Sequence, residues 1–394
     1  MSRRIDITVA EAIAAQWSGA GTNYLIQANN GSLYCVYIGS DSDVRYKKSR
    51  DGGKTWDTSV LAATAGTTTN LAVWYDRWSN IAADLIHMVF SDSGNDDTMY
   101  RTINTASSDA LSTQTVIFAG ASTAAGGHLS VTRAVGGNVY CKTVIDAGAE
   151  GGFYRLPNAN VPSGAWDAAR TVDETIATLD QMILLPDFDA ADTQDIMAIF
   201  QDASVTEISR KLYDDSANTW SETSINASIT ELATSTAFPN LAAAPDISNT
   251  NHVLLVWTNT DTLNADLLCY TVDSGAITAK TDVVTNSTDD QGLCAIGIAT
   301  DTGYWHAFYC GISTGGQTWP TAMGVYTKVS TDSGSTWGPE TLYSTNVDTT
   351  IRWLTTAPRF TGKPVVLWLR DGQLDEILAS VDITQPRASL NLGV

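Results

Sequence analysis

The sequence predicts an all-β chain closed into a single seven-bladed β-propeller of four-stranded antiparallel blades, with a six-bladed ring as the alternative. Three observations carry this expectation. Short apolar runs of alternating pattern, punctuated by Gly, Asn, Asp and Ser, recur along the chain, and helical periodicity is nearly absent. One run returns seven times, as LYCVYIG, LIHMVFS, NVYCKTV, DIMAIFQ, HVLLVWT, HAFYCG and PVVLWLR. Its aligned residues Tyr37, Phe90, Thr143, Phe200, Trp257, Tyr309 and Trp368 are spaced by 53, 53, 57, 57, 52 and 59 residues, and so regular a period implies radial repetition.

A second strand shares the period: VRYKKS, MYRTI, GFYRLP, EISRKL, LCYTV and GVYTKV bring Tyr46, Tyr100, Tyr154, Ser209, Tyr270 and Tyr326 into line. A period in the fifties holds four strands and their turns, which is one blade, and a lone four-stranded sheet must be covered by its neighbours. Residues 1–394 are read as one domain, whose last blade is closed either by the N-terminal segment 1–20 or by the C-terminal segment 382–394.

Composition narrows the partners. The chain has 394 residues, 43% of them hydrophobic, with 12 Trp and 14 Tyr, and no stretch approaches the ~18 apolar residues that would span a bilayer. No membrane insertion is expected. A net charge of -21, from 43 acidic and 22 basic residues, repels phosphate backbones, so nucleic acid is excluded as an expected partner. The opening MSRRIDITVAEAIAAQW has no uninterrupted apolar region before a cleavage site, so no secretory signal is expected. Cys35, Cys141, Cys269, Cys294 and Cys310 each lie in an apolar run and read as reduced core residues.

Two segments match S-x-D-x-G-x-T-W in full: Ser49, Asp51, Gly53, Thr55 and Trp56, and Ser330, Asp332, Gly334, Thr336 and Trp337. A degraded third copy runs from Tyr213 to Trp220, keeping Asp215, Thr219 and Trp220 but with Ala217 in place of glycine. The chemistry is that of a hairpin staple: Ser and Asp side chains bond turn N–H groups, Gly takes positive φ, and Trp anchors the turn. The motif resembles the Asp box of the BNR-repeat, sialidase-like propellers, of the type encoded by tailed phages. That resemblance implies a turn between the third and fourth strands of a blade, on the face opposite the ligand mouth, so these residues are structural rather than catalytic.

Sialidases of this kind use an arginine triad on a carboxylate, an Asp acid/base and a Tyr nucleophile paired with Glu. The segment Arg4-Ile5-Asp6 lacks the proline of their first arginine motif, and the mechanism is not carried over. Arg101, Arg155 and Arg210 share one position beside the aligned tyrosines and read as blade packing. Arg352 and Arg359, on or beside the innermost strand of the last blade, are the candidates for an anionic ligand, with a surface ion pair as the alternative. His87 and His306 stand where Tyr34 and Tyr140 stand in other blades, which is a packing position.

The loops after the second strands are acidic. The densest, DSGNDD, offers Asp92, Asp96 and Asp97 as a calcium candidate, against solvated turn acids, and lacks the downstream Glu of an EF-hand loop. Trp78 and Trp319 lie beside turn residues and are the candidate exposed pair for stacking on a sugar. No catalytic residue is assigned, and no cofactor beyond a possible Ca²⁺.

The function expected is a non-enzymatic recognition or structural protein of a virus particle, such as a phage tail, fibre or head-decoration component. It would be made in host cytoplasm and displayed in the virion, with other virion proteins and host surface glycan as partners. This setting reconciles the missing signal with a family that acts mostly outside cells; an extracellular location is the alternative. A carbohydrate-active enzyme, an exo-glycosidase or polysaccharide lyase at the acidic face, is the competing reading, and a cytoplasmic assembly scaffold the third.

Overall fold

A computed structural model describes residues 4–10, 13, 24–64, 68, 70–75, 84–92, 94–95, 97–119, 129–143, 152–172, 181–202, 207–226, 241–258, 265–287, 290–312, 323–344, 351–370 and 376–382. The protein is all-β, with seven antiparallel sheets arranged as the blades of a propeller. Six-fold closure is excluded. Among the described residues the only helical pieces are two 3-10 turns, Asn158–Asn160 and Ile247–Asn249.

Each blade starts at an innermost strand: Leu25–Gln27, Leu71–Tyr75, Leu129–Arg133, Gln181–Pro186, Leu241–Asp246, Asp290–Ala299 and Ile351–Thr356. Burial falls from the inside outward, as the sequence dictates. The second strand of the first blade, LYCVYI, is covered on both faces by neighbouring blades and is buried at every position. The outer strand of the fourth, TWSETSIN, is mostly exposed and correspondingly polar. The third blade has three described strands, and Arg170 bridges to Phe153 where a fourth would lie.

The ring closes through the N-terminal segment. Arg4–Ala10 pairs antiparallel with Glu376–Asp382 and becomes the outer strand of the seventh blade. At smaller radius Tyr24 meets Trp353 edge-on at 6.3 Å, and the Gln27 side chain exchanges hydrogen bonds with the backbone of Thr361. One hydrophobic cluster accordingly joins residues of the seventh, first and second blades.

The repeated aromatics fill the interfaces between blades. Trp257, Trp368, Tyr309 and Phe90 are at most 1% exposed, and each such side chain contributes about 2–3 kcal/mol by burial. Trp257 departs from the pattern: Phe90, Phe200 and Tyr309 share clusters with the preceding blade, whereas the Trp257 indole donates to the Leu293 carbonyl of the following one. His87 is a core residue, its Nδ1 2.7 Å from the Tyr100 hydroxyl. All five cysteines are buried and none is in a disulfide, and burial raises the Cys35, Cys141 and Cys294 thiols above their ordinary pKa.

The two S-x-D-x-G-x-T-W segments form the same turn between third and outer strands. In the sixth blade Ser330 Oγ accepts from Gly334 N at 2.8 Å, while Asp332 accepts from Thr336 N at 2.9 Å and Thr336 Oγ1 at 2.6 Å. Ser49, Asp51, Gly53 and Thr55 repeat these contacts in the first. Gly334 has φ 81°, and a Cβ there would lie 2.6 Å from the Trp305 ring, so no other residue fits.

The Trp337 indole donates to Thr281 O of the preceding blade, and Trp220 does the same to Thr171 O. Trp56 packs on the core, and its buried indole N–H has no hydrogen-bond partner among the described residues. The degraded copy is a different turn: Asp214 holds it, Asn218 takes the positive φ, and Asp215 is drawn into ion pairs with Arg155 and Arg170.

Candidate functional site

Antiparallel pairing sorts the loops onto two ends of the ring. The Ser/Asp turns share one end with the turns joining innermost to second strands; the loops joining second to third strands gather at the other. At the Ser/Asp end Ile26, Trp74, Pro245, Pro358 and Arg359 converge from around the ring on a cavity of about 20 Å³. That volume holds about one water.

Arg359 lines this cavity at the Ser/Asp end of the ring, where its backbone pairs with Ile298 in a parallel bridge. Arg352 lies in the innermost strand at a register shift between Ile351 and Trp353; its side chain lies outside the described residues. Trp78, Trp319 and Asp96 also lie outside them.

Asp92 is 4% exposed, and its carboxylate accepts from Gly94 N at 3.1 Å and Asn95 Nδ2 at 2.8 Å, so it caps its own hairpin opposite Asp97. Among the described residues no three His, Cys, Asp or Glu side chains gather as a metal-binding group.

The larger concavity lies where the ring closes. A cleft of about 590 Å³ separates Thr8, Val9 and Ala10 of the N-terminal strand from Tyr37, Arg45, Lys47, Thr58 and Ser59 of the first blade. This volume suits a small ligand. Its mouth end is bounded by Gly39, which bridges to Ile13. The Tyr37 hydroxyl donates to Ser59 Oγ at 2.7 Å, and burial raises its pKa. Asp41 is clamped by the Arg45 guanidinium, whose hydrogen bonds hold the carboxyl below its ordinary pKa. Among the described residues Lys47 makes no ion pair or hydrogen bond.

The position of Lys47 is repeated around the ring, which only the strand register reveals. Lys47 pairs with Cys35, Arg101 with Met88, Lys211 with Ala198 and Lys328 with Ala307, in each case two residues before the aligned aromatic of the second strand. Arg101 donates to Ala62 O of the preceding blade at 2.7 Å, and Lys328 to Val283 O at 2.7 Å. Lys211 lies over the Phe200 ring at 4.7 Å and pairs with Glu222.

This register corrects the sequence alignment of the third strand. Arg101, Arg155 and Arg210 do not share one position, although each does pack a blade interface, Arg155 on Asp215 and Arg210 on Asp273 O. The alignment slid because the connecting loops differ in length.

Backbone geometry at the cleft makes the comparison sharper. In the first blade Arg45 pairs with Leu61 and Val44 with Ala63, which leaves Ala62 as a bulge. In the seventh Leu378 pairs with Thr8 and Ile377 with Ala10, which leaves Val9 in the equivalent place. Val9 thus stands to Lys47 as Ala62 stands to Arg101, yet no hydrogen bond joins them.

With the fold and cleft in place, the chain is defined as a seven-bladed propeller. No family model and no curated protein matches it. Among solved structures it is similar to an ulvan lyase described as a new family of polysaccharide lyase, at 9% identity and TM-score 0.59 over 96% of this chain and 95% of that one; the same lyase is also solved bound to GlcA(1-4)Rha3S. A triple arginine-to-alanine mutant of AofleA from Arthrobotrys oligospora is similar at 10% identity and TM-score 0.53, over 88% of this chain and 91% of that one. These likenesses establish the fold.

Proposed function

We propose that the protein is a non-enzymatic, carbohydrate-recognising propeller of the BNR, sialidase-like kind, carried on a virus particle as a tail, fibre or head-decoration component. The observation that carries the recognition reading is the closure cleft. It sets the hydroxyls of Thr8, Tyr37, Thr58 and Ser59 beside the Lys47 ammonium, which makes no ion pair among the described residues, in a volume suited to one or two sugar rings. Its similarity in fold to a lyase solved with a bound saccharide supports the ligand class. The two complete Ser/Asp turns support the kinship with BNR propellers.

The chemistry of the cleft favours binding over turnover. Asp41 is fixed as an ionised partner of Arg45 and is a poor proton donor, while the raised pKa of Tyr37 makes it a poor base at neutral pH. The competing reading, a polysaccharide lyase or exo-glycosidase, draws its support from the same structural neighbour. An immobilised glycan array probed with the labelled chain tests recognition, and retention of oligosaccharides is the expected result. Mass spectrometry of purified particles tests the setting; particles complete without this chain contradict it.

A further inference from the structure

We infer that the closure cleft selects anionic saccharides, those bearing sulfate or carboxylate groups, and that Lys47 is the residue that recognises the anion. The inference deepens the recognition reading above and rests on it. Four of the seven blades place a cation at one cross-strand position of the third strand, as Lys47, Arg101, Lys211 and Lys328. Three are used up within the protein: Arg101 on the Ala62 carbonyl, Lys328 on the Val283 carbonyl, and Lys211 between Glu222 and the Phe200 ring. Lys47 has the same backbone placement and faces the equivalent bulge at Val9, but a cleft of about 590 Å³ intervenes.

Such a charge is costly to keep half-buried without a counter-ion. A chain with net charge -21 has carboxylates in excess to supply one. Asp41, the carboxylate that lines the cleft, is already committed to Arg45, so the ammonium is left to an external anion. An ammonium is a compact point charge suited to sulfate or carboxylate oxygens, and the hydroxyls of Thr8, Thr58 and Ser59 line the space where the adjoining sugar would sit.

The test is titration calorimetry of the full chain with sulfated galactan oligosaccharides and with the same oligosaccharides after desulfation, at low and at physiological salt. Wild type is expected to bind the sulfated form at least tenfold more tightly, with the advantage shrinking as salt rises. Lys47→Gln is expected to remove that advantage, so that the sulfated and desulfated forms bind it equally. Lys47→Arg is expected to keep it. An unchanged melting temperature shows that each variant is folded.

A folded Lys47→Gln that retains the full preference for sulfate overturns the inference, as does equal binding of both forms by wild type; either leaves carbohydrate recognition standing. Failure of both forms, together with a glycan array showing no retention, overturns the recognition reading and the inference with it.

Discussion

Lys328 donates a hydrogen bond to the Val283 carbonyl, 2.7 Å away across the interface between the sixth and fifth blades, and Lys47 at the corresponding position of the first blade donates to nothing among the described residues. One residue type at one structural position therefore has two consequences. Lys328→Ala strands a carbonyl and removes a charge-assisted bond, and is expected to cost about 1–3 kcal/mol. Lys47→Ala loses no such bond, and its melting temperature is expected to equal or exceed that of wild type. Thermal denaturation of the two variants side by side checks the contrast.

Ser330 carries the sixth-blade turn. Its hydroxyl accepts from the buried Gly334 N–H at 2.8 Å. Ser330→Ala leaves that donor unsatisfied and is expected to destabilise the chain by about 1–3 kcal/mol, a shift of a few degrees in melting temperature. Ser49→Ala is expected to behave alike, since Gly53 makes the same contact. Stability of both variants equal to wild type would show that the side-chain contacts add nothing to the turns.

Stability is expected to decline in mild acid. His252 is fully buried against Phe188, with Nε2 2.7 Å from the Pro186 carbonyl, and burial lowers its pKa from 6.5 to about 4. Between those values the unfolded chain binds a proton that the folded chain refuses. Stability is therefore complete above pH 6.5 and is lost as the pH falls toward 4, by about 3 kcal/mol for this residue.

His87 acts in the same direction, its pKa lowered by burial and by Arg133. The Asp51 and Asp332 carboxylates are held below their ordinary pKa, Asp51 by bonds from Thr55 and Ser49 that outweigh burial, Asp332 by bonds from Thr336, so they add a loss only below about pH 4. Urea unfolding between pH 7.5 and 4.5 measures the slope, and His252→Gln is expected to flatten it.

Removing residues 1–13 is expected to open the ring. The deletion takes Val9, Ala10 and Ile13 out of the core and leaves the edge of Glu376–Asp382 unpaired. Burial of these side chains alone implies a drop of roughly ten degrees in melting temperature, together with association through the free edge. A peptide spanning residues 1–13, added in trans, is expected to restore both.

Much of this architecture is legible in the sequence, because the residues that fill blade interfaces must recur wherever a blade recurs. Tyr37, Phe90, Thr143, Phe200, Trp257, Tyr309 and Trp368 gave the count of seven, and the Ser/Asp turns stood where their spacing implied. Which terminus closes the ring was not legible, since RRIDITVA and RASLNL offer comparable strand patterns and only pairing selects between them.

The repeated cation was hidden for a different reason. From Tyr37 to its cross-strand partner Arg45 is eight residues, and from Tyr309 to its partner Tyr326 is seventeen, so a linear match of third strands slides out of register. Nothing in the run VRYKKS singles out Lys47 from Lys48 beside it. Its distinction lies in what is missing around it, and a sequence does not record a missing partner.

The central claim, that this propeller recognises carbohydrate without transforming it, is tested most directly by incubating the chain with sulfated and uronate-containing oligosaccharides while following binding and product in the same sample. Chromatography detects new chain ends, and ultraviolet absorbance detects the double bond that a lyase leaves behind. Retention of intact oligosaccharide with no new ends is the predicted result. Absence of binding across the set, or turnover that grows with time and enzyme concentration, contradicts the account.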